Sequence, residues 1–308
     1  MDWGEQRVLV TGATGFIGQH LVRRLLDLGC GVWAASYPGD APDRGGVLPT
    51  SAAIVPVVIE DRSSVLAAMA TASPSVVLHL AAAGVARRGI NASKALAVNA
   101  GGAVNLLEAV RGRPVSRIVL MGTCYELGSP GASERLDPIN VYAASKVAAW
   151  AFGRAFWRAY GVPVVTVRPF HVYGPGQPAH TLIPAAISTA LAGQDFEMTG
   201  GDQKRDFIYV DDVVSGILAA ASAPDIDGQS LDLGTGVPRS VLSVVEEIWS
   251  ITGCFGRICA GAMPYRRGEP GTLCADADRT ARLTGWRAST NLDEGLRQTI
   301  EACADDAP

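Results

Sequence analysis

Near the N-terminus, the apolar run Arg7-Val8-Leu9-Val10-Thr11 passes directly into Gly12-Ala13-Thr14-Gly15-Phe16-Ile17-Gly18, and a helix-forming stretch to Leu28 follows. Few other features restrict a chain so strongly. Gly12 permits a tight turn, Gly15 lets backbone approach a bound group, and Gly18 lets the helix sit close against the strand. The start of that helix presents N–H groups and the positive end of a dipole, which suits a pyrophosphate. A plain strand-to-helix turn has no use for three glycines at this spacing.

The pattern then repeats. Val32–Ala35, Ile54–Ile59, Val76–Leu80, Arg117–Met121 and Val164–Val167 are short runs rich in Val, Ile and Leu with little alternation, as expected of strands covered on both faces. Helical stretches at Ile17–Leu28, Ser63–Thr71, Ala92–Val110 and Val141–Tyr160 lie between them. Strand–helix–strand repetition with right-handed crossovers predicts an α/β doubly wound parallel sheet, the Rossmann fold. After Pro169, Pro and Gly become frequent, with helices expected at Leu182–Ala192, Val213–Ala221, Val241–Ile251 and Leu292–Cys303. The expected division is a dinucleotide-binding domain at 1–170, with 205–235 returning to it, and a smaller C-terminal substrate lobe from 171–204 and 236–308.

Composition excludes several function classes. The 308 residues are 48% hydrophobic and 18% charged, enough for a large core, and the net charge of -4 offers no basic stripe for nucleic acid. No apolar run reaches the length of a membrane span, and Met1–Arg7 lacks a signal-peptide pattern. The six cysteines show no CxxC or Cys/His spacing, so a reduced, cytoplasmic chain without a metal site is expected. Val141–Tyr160 is apolar nearly all round, with Val147, Trp150, Phe152, Phe156, Trp157 and several alanines. One sheet covers one face only, so this helix and Ala92–Val110 are expected in a homodimer interface, the alternative being cover by the protein's own second lobe.

At the end of the second strand an NAD-binding chain normally offers an acidic side chain to the adenosine ribose. That position is Ser36, which cannot repel a 2′-phosphate. NADP(H) is therefore the favoured cofactor and NAD(H) the other possibility; Arg44 nearby argues for the former, Asp40 and Asp43 for the latter.

Tyr142-Ala143-Ala144-Ser145-Lys146 places a phenol and an ammonium on one helix face. The lysine charge is expected to favour the phenolate, and the ammonium to hold the nicotinamide ribose. The strand Arg117–Met121 delivers Thr123 at its carboxyl end, the edge where open parallel sheets bind ligands. From there Thr123 can reach the oxygen that exchanges a proton with Tyr142.

Taken in order, the glycine turn, His79-Leu80-Ala81-Ala82, Asn99, Thr123 and Tyr142/Lys146 resemble the extended short-chain dehydrogenase/reductase superfamily, in its nucleotide-sugar epimerase, dehydratase and ketoreductase branch. The resemblance runs from Val8 to about Ile300. It implies catalytic roles for Thr123, Tyr142 and Lys146. It implies dinucleotide contacts at Gly12, Gly15, Phe16, Ile17, Gly18, Ser36, Ile59, Leu80, Ala81, Ala82, Asn99, Tyr142, Lys146 and Pro169. Arg168-Pro169-Phe170-His171-Val172-Tyr173-Gly174-Pro175-Gly176, Arg205-Asp206-Phe207 and Arg266-Arg267-Gly268-Glu269 resemble the family's later segments. By that resemblance the substrate is a nucleoside-diphosphate sugar met by Thr123, His171, Arg205, Arg266 and Glu269, the arginines on its diphosphate.

Departures shape the expected reaction. The family's inter-lobe asparagine is His171, its adenine-facing acid is Val58, and the Asp-Glu pair that follows the threonine in dehydratases is Cys124-Tyr125, with Glu126 one place later. Dehydration thus ranks low. A 4-ketoreductase acting on a 4-keto-6-deoxy sugar nucleotide is the first expectation, an NAD-dependent 4-epimerase the alternative. A non-catalytic dinucleotide sensor would need no Thr123, Tyr142 and Lys146 together.

Overall fold

The computed structural model describes residues 1–38, 48–84, 90–128, 136–265 and 268–305. In chain order the first elements are β1 (Arg7–Thr11), α1 (Phe16–Asp27), β2 (Gly31–Ser36), β3 (Ala53–Pro56), α2 (Arg62–Ala72), β4 (Val76–His79) and α3 (Ala92–Ala95). A π-helical stretch, Leu96–Gly101, continues α3 into α4 (Gly102–Val110). Then come β5 (Arg117–Met121), a 3₁₀ turn at Cys124–Glu126, α5 (Val141–Tyr160), β6 (Val164–Pro169) and β7 (His171–Tyr173). The chain ends with α6 (Leu182–Leu191), β8 (Phe196–Met198), β9 (Lys204–Tyr209), α7 (Val210–Ser222), β10 (Ser230–Leu233), β11 (Pro238–Ser240), α8 (Val241–Thr252), β12 (Ile258–Ala260), β13 (Thr272–Leu273), α9 (Ala277–Thr284) and α10 (Leu292–Asp305).

Seven strands pair in the order β10-β6-β5-β4-β1-β2-β3, and every pairing is parallel. The predicted doubly wound sheet is present. Successive residues of β1 face opposite layers: Val8 and Val10 pack with Leu21, Val22 and Leu25 of α1 and Val213 and Ile217 of α7. Leu9 faces Met69 of α2, Leu106 and Leu107 of α4, and Phe156 of α5. With helices on both faces no strand side is left for water, which is why β4, β5 and β6 are buried throughout. The order of the strands reverses between β1 and β4, whose carboxyl ends meet at Thr11 and His79. That reversal creates the crevice where ligands of such sheets bind.

Strand pairing at the far edge stops at Ser36 opposite Pro56, so β3 is shorter than the apolar run to Ile59 suggested. Just beyond it Val57 still donates its N–H to the Ser36 carbonyl at 2.8 Å. A second, smaller sheet has the order β11-β9-β13, with β7 also paired to β9, and β8 pairs with β12. Tyr173, Ile183, Ile187, Val244, Ile248 and Leu296 form a separate core between this sheet and α6, α8 and α10. Among the described residues no helix is long and apolar enough to cross a membrane, and no cluster of His, Cys, Asp and Glu suits a metal.

On α5 the protein's own fold covers part of the apolar surface. Phe156 is buried, and Trp150 donates its indole N–H to Ser230 Oγ at 2.8 Å. Val141, Ala144, Ala151, Phe152 and Ala155 remain exposed, as does Leu96 on the π-helical stretch.

Candidate active site

Gly12 adopts φ +69°, and a Cβ there would come within 2.6 Å of the Ala81 nitrogen. A Cβ on Gly18 would collide with the Gly12 carbonyl, and one on Gly15 would press on the same oxygen at 3.2 Å. Glycine at positions 12 and 18 allows this loop to lie against Leu80–Ala81 and to feed α1 at so short a distance, while Gly15 is merely crowded. Gly15 is the N-cap and no side chain caps the helix, with Phe16 and Ile17 half-buried in its first turn. A glycine loop that has no room for a Cβ at positions 12 and 18, opening on a helix N-terminus, fits a dinucleotide pyrophosphate.

Thr11 Oγ1 shares a 2.7 Å hydrogen bond with His79 Nδ1 and accepts the Ala81 N–H at 3.2 Å, so the Leu80–Ala82 loop is tied to β1. Asn99 lies in the π-helical stretch and is fully buried. Its Oδ1 accepts the Ala83 N–H at 2.8 Å, and its Nδ2 donates to Ala83 O at 3.0 Å and Ser145 Oγ at 2.8 Å. Both amide protons are therefore spent on protein, so Asn99 fixes the loop and α5 together. Ser36 ends β2, and Ile59 is buried against Gly102 while its carbonyl accepts from Asn105 at 3.0 Å. Pro169 ends β6 beside Leu233 of β10.

Asn140 caps α5 by accepting the Ala143 N–H at 2.8 Å, which fixes the first helical turn that carries Tyr142. Lys146 is buried and donates to the Met121 carbonyl at 2.8 Å, its Nζ lying 5.9 Å from the centre of the Tyr142 ring. Burial lowers the ammonium to about 8 even though the Glu126 carboxylate favours its charge. The lowering of the phenol expected from Lys146 is opposed by the rest of its surroundings. Burial raises Tyr142 above the ordinary tyrosine value, and the negative charge of Glu126 raises it further. An ammonium has three donors, so the bond to Met121 does not exhaust Lys146.

Thr123 follows β5 and caps the 3₁₀ turn. Its Oγ1 accepts the Tyr125 N–H at 3.4 Å, and its own N–H donates to Glu126 Oε1 at 2.9 Å, the reciprocal bonds of a capping box. Glu126 has no exposed surface, and burial pushes it up to about 7 against the pull of Arg168. The resemblance gave this carboxyl no role. The Thr-x-x-Glu spacing was the available signal.

His171 shares a 3.3 Å hydrogen bond through Nε2 with the Tyr125 hydroxyl and stacks edge-on with that ring. Burial and the neighbouring Arg205 charge hold it neutral, lowered to about 3. Arg205 is buried. It donates to Glu269 Oε1 at 2.9 Å, Pro270 O at 2.9 Å and Lys204 O at 2.8 Å. The structure thus joins Arg205 to Glu269 directly, beside a cavity of about 290 Å³ lined by Asp202, Gln203, Tyr265, Glu269, Pro270 and Gly271. Arg266, Arg267, Arg44, Asp40 and Asp43 lie outside the described residues.

A parallel sheet whose crevice joins a glycine cradle to a tyrosine–lysine helix belongs to an enzyme of the extended short-chain dehydrogenase/reductase type. The model of the NAD dependent epimerase/dehydratase family matches residues 8–234, and the chain belongs to that family. It is 33% identical over 318 residues to the UDP-glucose 4-epimerase of Mycolicibacterium smegmatis, covering 96% of this chain and 97% of that one. Its fold is similar to the crystal structure of a UDP-glucose 4-epimerase with UDP-glucose from Thermotoga maritima (TM-score 0.89, 27% identity, 97% of this chain and 98% of that one). A UDP-glucuronic acid 4-epimerase from Bacillus cereus, solved with UDP-glucuronic acid and NAD, is similar over 97% of this chain and 99% of that one (TM-score 0.86, 25% identity).

Proposed function

We propose that the protein is an NAD-dependent 4-epimerase of a UDP-linked sugar. The observation that carries this reading is the UDP-glucose 4-epimerase that matches nearly end to end at 33% identity, together with a site holding Thr123, Tyr142 and Lys146. This reverses the order of the sequence expectations, which put the 4-ketoreductase first. The preference for NADP(H), argued from Ser36, also gives way to NAD, the cofactor named with the Bacillus cereus enzyme. Dehydration stays disfavoured, because the groups after Thr123 are a thiol pushed up to about 12 by burial and a tyrosine engaged with His171.

In this reading residues 1–170, with 205–235, form the cofactor domain, and 171–204 with 236–308 the sugar-nucleotide lobe. Gly12, Gly15 and Gly18 leave room for the pyrophosphate, and Ser36, Ile59, Leu80, Ala81, Ala82 and Pro169 would hold the rest of the dinucleotide. When bound, NAD would supply the hydride acceptor and donor for C4 of the sugar. Tyr142 removes the C4 hydroxyl proton and later gives it back, while the Thr123 hydroxyl holds the same oxygen. Lys146, anchored by Met121, holds the nicotinamide ribose and keeps positive charge near the phenol. His171 and Tyr125 border the sugar, and Arg205 with Glu269 marks the diphosphate and nucleoside end. Turning the 4-keto sugar before hydride returns inverts C4 with no net redox change.

The exposed face of α5 and Leu96 would pair with a second copy, and the free cysteines suit a reduced, cytoplasmic setting. The test is incubation of the purified protein with UDP-glucose, UDP-galactose and UDP-glucuronic acid, with product stereochemistry read by NMR. C4 epimers formed without net NADH support the reading. Stoichiometric NADPH oxidation by a 4-keto sugar nucleotide, with no epimer from any UDP-sugar, would return the assignment to a ketoreductase.

A further inference from the structure

Beneath the site lies a charged chain that the proposed reaction does not use directly. Glu126 Oε1 accepts the Thr123 N–H at 2.9 Å, while Oε2 faces Arg168 Nε at 3.5 Å. The same guanidinium reaches Asp232 Oδ1 at 3.6 Å. All three side chains are shielded from solvent, and Glu126 has no exposed surface at all. The packing leaves no slack, since a Cβ on Gly122 would come within 2.5 Å of Glu126 Oε1 and 3.2 Å of Arg168 Cγ. Two carboxyls sharing one guanidinium would carry an excess negative charge if both ionised, a costly state in a dry site.

We propose that Glu126 is a positioning residue of the epimerisation site, whose buried carboxyl clamps the Thr123 backbone with one oxygen and lies beside the Arg168 guanidinium, without a hydrogen bond, with the other. The inference rests on the epimerase reading for the role of Thr123, and on geometry alone for the clamp. Thr123 Oγ1 has a lone pair committed to the Tyr125 N–H, so the direction of its O–H depends on the backbone that Glu126 holds. An ångström of drift at such a hydroxyl is costly to catalysis. A second consequence is electrostatic. The groups that feel or face Glu126 are Arg168 on β6, Asp232 on β10, Tyr142 and Lys146 on α5, and Cys124 on the turn itself. Its negative charge raises the Tyr142 phenol, so removing that charge lets the phenol ionise at lower pH.

Glu126→Gln keeps an acceptor for the Thr123 amide but removes the charge; Glu126→Leu removes both. In the NAD-loaded protein, the rise of kcat with pH above about 7, where Glu126 is ionised, is expected to move to lower pH in Glu126→Gln. The phenolate absorbance that disappears in Tyr142→Phe should move with it. Glu126→Leu should lower kcat by about 10- to 100-fold with KM little changed. The loss should not multiply with that of Thr123→Ala, because both act on one hydroxyl. Losses that multiply, or a Glu126→Leu kcat within about twofold of wild type, would overturn the clamp. An unmoved phenol titration in Glu126→Gln would overturn its electrostatic effect on Tyr142. Should wild type epimerise no sugar nucleotide, the epimerase reading fails; the phenol titration still decides whether Glu126 acts on Tyr142.

Discussion

Tyr142 works against its own surroundings: burial and a neighbouring carboxylate both oppose loss of its proton. Replacing it with Phe should lower kcat by roughly 10²- to 10⁴-fold, the scale of general acid–base catalysis, while leaving NAD binding in place. A fluorescence titration alongside the epimerase assay checks both halves, and an unchanged kcat would remove Tyr142 from the mechanism. Two histidines make a different demand on the fold. Burial holds His79 and His171 at about 3, helped by the charge of Lys146 for the first and Arg205 for the second. An unfolded histidine titrates near 6.5. Between about 6.5 and 3 the unfolded chain therefore binds protons that the folded chain does not, and stability falls as pH drops through that window. Glu126 has the opposite sign: held at about 7 rather than its ordinary 4.5, it costs stability as pH rises between those values. At about pH 5.5 each histidine withdraws roughly 1 kcal/mol of stability relative to neutral pH. His171→Asn should thus lose less Tm than wild type between about pH 7.5 and 5.5, measured by circular dichroism. An equal loss in both proteins would mean that His171 is not the neutral group the packing implies.

Among the elements, β9 depends on one carboxylate. Asp206 is fully buried. It accepts from Thr235 N–H at 2.9 Å, Thr235 Oγ1 at 2.7 Å, Gly236 N–H at 2.9 Å and Ala275 N–H at 3.1 Å. Those bonds fasten β9 to the turn after β10 and to the segment that leads into α9. Asp206→Asn turns one accepting oxygen into a donor facing other donors, so a loss of about 2–4 kcal/mol is expected from urea unfolding. A change under about 1 kcal/mol would show that these bonds contribute little net stability. The sequence alone could not reveal this role, since Asp206 stood out only as part of a family segment. The large sheet was readable because β4, β5 and β6 are apolar on both sides and sit between clear helices. The π-helical stretch was not, for an extra residue per turn leaves almost no mark on the apolar repeat of 92–110. Nor were β7, β8, β11, β12 and β13, each too short to show alternation. Of the proposed site, Thr123, Tyr142 and Lys146 stand out in the sequence by spacing and context. The ties between Asn99 and Ser145, and between Arg205 and Glu269, join residues too far apart in sequence for any local pattern.

At the scale of the whole molecule, the question is what covers α5. Its inward face, with Ala143, Lys146, Ala149, Gly153 and Phe156, is buried by the sheet and by neighbouring helices. Its outward face carries Val141, Ala144, Ala151, Phe152 and Ala155 at helical spacing, and Leu96 is exposed on the adjoining π-helical stretch. Leu96 is 59% exposed, Phe152 46% and Val141 44%, and the alanines between them would let a second helix approach closely. Leu96 and Phe152 are already about half covered, so burying the remainder against a second copy would contribute on the order of 1 kcal/mol each per protomer. In an isolated chain both positions already meet solvent, so Leu96→Glu with Phe152→Glu should cost the fold little. In a paired face the same charges would be desolvated without partners. The expected result, by light scattering at micromolar concentration, is a wild-type mass of two chains and a doubly substituted protein of one, with matching circular dichroism. Because α5 also carries Tyr142 and Lys146, separating the copies should lower the temperature at which epimerase activity is lost. A wild-type protein that runs as a single chain would mean that this face needs no second copy, and that α5 is stable with one side in water.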